Sequence, residues 1–247
     1  MTSALILVAG RGERLRPLTD TTPKPLVPDA GGTPLLAHWL SRLADAGISS
    51  VVLNPCWLGE QIEQYVGDGS RWRITVYYSR ETLPGLETAG GIRTALPLID
   101  SDPFLVVNGD VDLAPAWSLA MFVRRGEAQL NTHPDHLGYL LLAPNPPDHR
   151  DGDFTVTSSG ALLPHADTTR GNTYTFAGVA LYRFALLTSL TPQTRAPLGP
   201  LLRQAITEGR IGYEITDAPW WDIGTPQRLA RWRRERQALI DSTKGDP

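Results

Sequence analysis

The chain has one cysteine in 247 residues, so Cys56 has no partner for an internal disulfide. That composition suits a reducing compartment, and a cytoplasmic enzyme is the expectation. There is no basic excess: 23 Lys and Arg against 26 Asp and Glu leave a formal net charge of −3, which gives no support for a nucleic-acid surface. No apolar run approaches the roughly 20 residues needed to cross a bilayer. The run ending at Ala9 lacks both the length and the basic flank of a secretion signal. No Gly-x-Ser-x-Gly elbow or His-Glu-x-x-His pair appears. His38, His133, His136 and His165 have no metal-ligand spacing. The dinucleotide fingerprint fails as well, because Leu15 stands where its third glycine belongs, and no Walker-type Lys-Ser pair follows the loop.

What is present is concentrated near the amino terminus. Ala4 to Ala9 reads as a buried strand that empties into Gly10-Arg11-Gly12-Glu13-Arg14-Leu15-Arg16-Pro17-Leu18-Thr19, followed by Pro23-Lys24-Pro25-Leu26. Glycines let backbone N–H groups approach phosphate oxygens, and Arg11, Arg14, Arg16 and Lys24 supply cations around them. This is the composition of a phosphate-binding loop, and it points to a nucleotide.

The rest of the first half alternates strand and helix. Apolar strands are expected over 50–54, 74–78 and 104–108, with helices over 34–43, 58–66 and 88–96. Such alternation predicts an α/β fold: a Rossmann-like, mostly parallel twisted sheet with helices on both faces. Strands over 139–143, 153–157 and 178–182 are expected to be partly antiparallel. Short and long helices follow at 198–207 and 226–240. No linker or repeat divides the chain, so one domain over 1–240 with a frayed tail at 241–247 is expected. Arg228, Arg231, Arg233, Arg234 and Arg236 are spread around the last helix, the pattern of a solvated face.

Two aspartates stand out. Asp110 ends the buried strand in Val107-Asn108-Gly109-Asp110, at the carboxyl edge where ligands bind in open α/β sheets. A carboxylate beside phosphates makes sense with Mg²⁺, which takes carboxylate and phosphate oxygens together. Asp222 lies in Trp220-Trp221-Asp222-Ile223-Gly224-Thr225, before a helix start, and is the second candidate ligand for the same ion. Between them, Leu86-Glu87-Thr88-Ala89-Gly90-Gly91 opens a helix with small residues that would let a planar base come close to the backbone.

Taken together, these segments resemble the sugar-phosphate nucleotidyltransferases. The resemblance rests on Leu7 to Thr19, Pro23 to Leu26, Gly109-Asp110 and Trp220 to Pro226, and it spans nearly the whole chain. It implies a single nucleotidyltransferase domain of the GT-A-like kind with no β-helix domain, and transfer of a nucleotidyl group from an NTP to a sugar 1-phosphate. Ala9, Gly10, Arg11 and Gly12 would then wrap the triphosphate, with Arg14 and Lys24 as catalytic cations. Glu87, Thr88 and Gly90 would contact the base or ribose, and Asn108, Gly109, Phe176 and Gly178 the sugar. Asp110 and Asp222 would hold Mg²⁺. Stretches such as Trp57 to Glu63 and Asn145 to Phe154 resemble members that pair UTP with N-acetylmuramic acid α-1-phosphate. GTP with mannose 1-phosphate stays open as the alternative, and a non-catalytic nucleotide-sugar sensor is an alternative of another class. The Glu-Lys-Pro segment with which many relatives hold the sugar phosphate is absent. That leaves the acceptor phosphate without a cation unless Arg150 or Arg170 supplies it.

Overall fold

The computed structural model describes residues 2–244. Along the chain, β1 is Ala4–Leu7, α1 Leu35–Asp45, β2 Ser50–Leu53, α2 Gly59–Val66, β3 Thr75–Tyr78 and α3 Glu87–Ala95. Then come β4 Phe104–Asn108, β5 Val111–Leu113, α4 Leu119–Thr132 and β6 Gly138–Ala143. The remainder is β7 Phe154–Val156, β8 Leu162–Leu163, β9 Asn172–Tyr182, α5 Leu198–Thr207, β10 Ile211–Ile215, β11 Trp220–Asp222 and α6 Pro226–Lys244.

The main sheet runs in the order β10-β6-β9-β4-β1-β2-β3. β1 pairs in parallel with both β2 and β4, and β3 extends β2 in parallel. These strands are short and apolar, as expected of strands covered on both faces. β9 enters antiparallel between β4 and β6, so the parallel order breaks beside the end of β4. β10 is parallel to β6, while β7 and β8 form an antiparallel extension on the amino-terminal half of β9. One face of the sheet packs on the cluster that includes Trp39, Leu40, Ile62 and Phe122, and the other on Ile92, Leu187, Leu202 and Ile206. Alternate residues of the strands feed the two clusters, Leu5 going one way and Ala4 and Ile6 the other. Among the described residues no helix is long and apolar enough to cross a membrane.

Differences from the sequence reading follow from context. β9 begins at Asn172, six residues before the apolar stretch at 178–182, because its polar first half pairs with β7 rather than entering the core. α6 continues through Lys244, beyond the expected end at 240, and residues 245–247 lie outside the described part. Beyond the expected strand at 104–108, the chain forms a further short strand, β5, antiparallel to β11, with Asp112 opposite Trp221 and Val111 opposite Asp222.

This small second sheet is fixed by a buried polar network. Asp112 is 1% exposed and accepts from Trp232 Nε1 at 2.8 Å and from Arg236 Nη1, with Arg42 Nη2 3.7 Å away. His38 has its Nε2 2.9 Å from Asp29 and its Nδ1 3.0 Å from Arg236 Nη2. Burial, followed by the adjacent Arg236 charge, holds its pKa below the ordinary histidine value. A neutral ring accepting from Arg236 at Nδ1 and donating to Asp29 from Nε2 satisfies both contacts. Arg236 is therefore a core residue, and the expected solvated face of α6 is corrected there: nearly buried, it joins the terminal helix to β5. Removing the carboxylate would leave buried Arg236 with only Asp29, 3.6 Å from its Nε, as counter-ion, and breaking a buried pair typically costs about 3–5 kcal/mol. Asp112→Ala is expected to lose that much stability in chemical denaturation, and Asp112→Asn, which keeps an acceptor for Trp232, less.

Candidate active site

The carboxyl ends of β1, β2 and β4 open into a cavity of about 900 Å³. Its floor is Leu7 to Arg14, one wall is Leu83 to Thr88, and the other is Asn108 to Asp110 with Gly224. Of the residues expected to form the nucleotide site, Ala9, Gly10, Arg11, Gly12, Arg14, Lys24, Glu87 and Thr88 all line it, as do Asn108, Gly109 and Asp110.

The signature loop holds its shape by local chemistry. Gly12 has φ +68°, a conformation that a residue with a Cβ adopts at a cost, and a Cβ there would lie 3.0 Å from Thr19 Cγ2 and 3.3 Å from the Lys24 stem. Thr19 closes the loop by donating to the Gly12 carbonyl at 2.8 Å. Leu15, 2% exposed, is buried with Trp221, Ile223 and Trp232 and anchors the loop to α6 and β11. Arg11 lies over the Trp57 ring at 4.3 Å, and Trp57 donates from Nε1 to the Thr19 carbonyl.

Lys24 is nearly buried, and its ammonium donates to Asp110 Oδ2 at 2.6 Å. Asp222 is bound by Arg228 Nη1, and its Oδ1 and the Arg14 Nη2 both flank Gly224. Burial raises the Asp222 pKa above the ordinary carboxylate value. The Asp110 charge raises it further, while Arg228, Lys24 and Arg14 pull it down. The two aspartates, 112 residues apart, thus face each other closely enough to interact. Among the described residues no cluster of three or more His, Cys, Asp or Glu side chains is arranged to hold a metal. Two carboxylates completed by phosphate oxygens and water fit Mg²⁺, which seldom relies on an all-protein cage.

Asp222 is not itself a lining residue, although its Oδ1 flanks the lining Gly224, and three further expected residues sit elsewhere. Gly90 lies inside α3 and does not line the cavity. An added Cβ would come within 2.3 Å of the Thr194 carbonyl oxygen, so its smallness accommodates the 194–196 segment rather than a base. Phe176 does not line it either. Its amide donates to Asp153 Oδ2 at 2.8 Å, and its ring packs on the core. Gly178, at φ +77° in the irregular stretch of β9, reaches the site only through Asn108, whose Nδ2 would be 3.0 Å from a Cβ placed there. Arg150 is tied to the Pro147 carbonyl, and neither it nor Arg170 lines the cavity.

Other lining residues went unread in the sequence. Asn54 Oδ1 accepts from the Val8 amide at 2.7 Å, and its Nδ2 donates to Glu81 Oε1 at 2.8 Å. Glu81 Oε2 then accepts from the Leu86 amide at 2.7 Å. This chain of bonds joins the end of β1 to the 83–86 wall across the cavity. Burial raises the Glu81 pKa above its usual range, against the opposing pull of those two donors. The only advance signal was a polar Asn-Pro pair and an isolated glutamate after two apolar strands.

Comparison with known proteins agrees with this geometry. A family model described as Nucleotidyl transferase matches residues 3–130. An N-acetylmuramate α-1-phosphate uridylyltransferase of Neisseria meningitidis is 43% identical over 246 residues, 98% of this chain and 99% of that protein. A mannose-1-phosphate guanylyltransferase of Mycobacterium tuberculosis is 44% identical over 233 residues, 92% of this chain and 62% of that protein. A Bacillus anthracis structure assigned as a glucose-1-phosphate thymidylyltransferase superposes with a TM-score of 0.80 at 18% identity, covering 96% of each chain, which establishes the shared fold. The chain belongs to the nucleotidyl transferase family, as one of its sugar-phosphate nucleotidyltransferases.

Overpacking of a tight contact typically costs about 1–3 kcal/mol. Gly90→Ala is expected to lose stability in that range in thermal or urea denaturation. Nucleotide affinity, measured at a temperature where the variant is folded, should stay close to wild type. A selective loss of nucleotide affinity would return Gly90 to the binding site.

Proposed function

We propose that the protein transfers a uridylyl group from UTP to N-acetylmuramic acid α-1-phosphate, releasing pyrophosphate. Arg14, Lys24 and Asp110 line a glycine-rich cavity with Asp222 beside them at Gly224, and this convergence carries the reaction class. The choice of base and sugar draws support from the uridylyltransferase relative, which matches this chain over 99% of its own length, whereas the guanylyltransferase is matched over 62%.

In this reading the sugar phosphate, already an anion, attacks the α-phosphorus as the bond to pyrophosphate breaks opposite. The protein contributes position and charge and has little covalent work to do. Backbone amides from Gly10 to Gly12 bind the triphosphate, and Arg14 meets the charge that builds on the leaving pyrophosphate. Lys24, held by Asp110 and barely exposed, is placed for the α-phosphate. Its fixed position avoids the reorganisation that a solvent-exposed lysine would require. Asp110 and Asp222 would hold Mg²⁺, which when bound supplies charge neutralisation between the two substrates' phosphates. Glu87 and Thr88, on the wall opposite Asp110, face the nucleoside end, and Asn108 and Gly109 face the sugar.

The test is pyrophosphate release with UTP and N-acetylmuramic acid α-1-phosphate, run beside GTP with mannose 1-phosphate and dTTP with glucose 1-phosphate. Turnover in the first pair is expected. Turnover only in the second would favour the guanylyltransferase reading, and silence in all three with nucleotide binding intact would favour the sensor. Lys24→Ala or Asp110→Ala should cost about 10²–10³-fold in kcat with folding retained.

The Asp222 shift adds a pH dependence. With its folded pKa raised, the native state holds more protons than the unfolded chain between the unfolded and folded values. Stability from this group is therefore lost as pH rises through the folded pKa. Metal binding needs the carboxylate, so it gains over the same rise. Mg²⁺ is expected to raise Tm more at about pH 7.5 than at about pH 4.5, and Asp222→Asn should remove most of that difference.

A further inference from the structure

Arg228 lies in the first turn of α6, where Thr225 Oγ1 accepts from its amide at 3.3 Å. Its guanidinium, only 19% exposed, joins two carboxylates from distant parts of the chain. Nε donates to Asp148 Oδ2 at 2.6 Å and Nη1 donates to Asp222 Oδ2, while Nη2 has no partner among the described hydrogen bonds. The sequence pattern assigned this arginine to a solvated helix face. Instead it binds Asp222 at Oδ2, while Asp222 Oδ1 and Arg14 flank the lining residue Gly224; Arg228 is not itself among the lining residues.

Asp148 belongs to the 144–153 loop between β6 and β7. Both ends of that loop are pinned to β9: Asn145 donates to Thr173 Oγ1 at 2.8 Å, and Asp153 accepts from the Phe176 amide. Asp148, in the middle, is more than half exposed, and Arg228 is its one ion-pair partner among the described residues. Of the cations described around Asp110 and Asp222, Lys24 and Arg14 come from the 10–26 segment and Arg228 from α6. An acceptor phosphate must lie beside the α-phosphate without sharing the cations that hold the triphosphate. Arginine suits such a group because its planar fork offers paired N–H donors to phosphate oxygens.

Building on the reaction proposed above, we infer that Arg228 binds the phosphate of the sugar 1-phosphate, exchanging its bond to Asp148 for phosphate oxygens. The exchange is undemanding, because Arg228 trades one charge-assisted bond for another and Asp148, already more than half exposed, returns to water. It also gives the acceptor phosphate the cation that the absence of a Glu-Lys-Pro segment left unassigned. The same movement would release the centre of the 144–153 loop, so acceptor binding and loop position are coupled through one guanidinium.

The experiment measures initial rates with whichever nucleotide and sugar pair the wild type turns over, and calorimetric affinities for UTP and for the corresponding NDP-sugar. Arg228→Ala is expected to raise the acceptor KM by about 10- to 100-fold, as loss of a charge-assisted pair does. It should weaken NDP-sugar binding similarly and leave UTP affinity within about twofold. Arg228→Lys should recover part of the loss. Asp148→Asn separates substrate binding from a merely structural strut: it breaks the loop contact, yet should leave the acceptor KM within about twofold of wild type. An unchanged acceptor KM in Arg228→Ala, an equal loss of UTP affinity, or an Asp148→Asn defect matching that of Arg228→Ala would overturn the inference. A wild type silent with every pair would instead overturn the proposed reaction.

Discussion

The placement of Asp112 is the constraint on which the active site rests. A carboxylate 1% exposed is tolerable only when donors surround it, and here three side chains on two helices do so: Arg42 on α1, and Trp232 and Arg236 on α6. Those contacts fix β5 against the terminal helix. Because β5 pairs residue for residue with β11, they fix Asp222 opposite Val111 and Trp221 opposite Asp112. Asp110 precedes β5 directly, and the Asp110 carbonyl accepts from the Ile223 amide at 2.8 Å. Two aspartates that repel one another are thus held by a ladder whose geometry is set one residue behind them. The work of overcoming that repulsion falls on the fold, away from the site.

The local electrostatics then become intelligible. Left alone, the opposed carboxylates would share a proton or splay apart, and the raised Asp222 pKa records that pressure together with burial. Each carboxylate carries its own cation from a different direction, Lys24 on Asp110 and Arg228 on Asp222. Cations held this way are oriented before any phosphate arrives. A site meant to bring two anions together gains from cations already desolvated and aimed, since little reorganisation remains when charge moves.

Much of this was legible in the chain. The phosphate loop could be read because its chemistry is local: Gly12, Arg14, Thr19 and Lys24 lie within thirteen residues, directly after an apolar strand. Asp110 was legible for the same reason, at the end of the run Phe104 to Asn108. Asn54 and Glu81 were not, because they act through each other, 27 residues apart, and Asn54 through the Val8 amide, 46 residues away. Gly90 misled because a small residue opening a helix looks alike whether a ligand or a neighbouring backbone needs the space, and here the Thr194 carbonyl does. The arginines of α6 misled most. Their spacing covers every side of a helix, and only tertiary contacts separate buried Arg236 and site-facing Arg228 from Arg231, which pairs with Glu235 on its own helix.

That contrast follows the architecture. On the parallel side of the sheet, each strand delivers its loop to the same edge, so residues near a strand end in sequence are near the ligand in space. On the antiparallel side, β9 reverses direction and its neighbours β6 and β7 present a loop rather than strand ends. There the loop is held by long-range pairs such as Asp148 with Arg228 and Asp153 with the Phe176 amide. The two halves therefore write their chemistry differently: a contiguous motif for the phosphates of the nucleotide, and scattered long-range contacts for whatever lies beyond Asp222. Discrimination among sugars depends on groups contacted outside the shared phosphate chemistry. On the reaction proposed here, it is the antiparallel side, where the sequence is least readable, that would give a common phosphate-transfer core its particular acceptor.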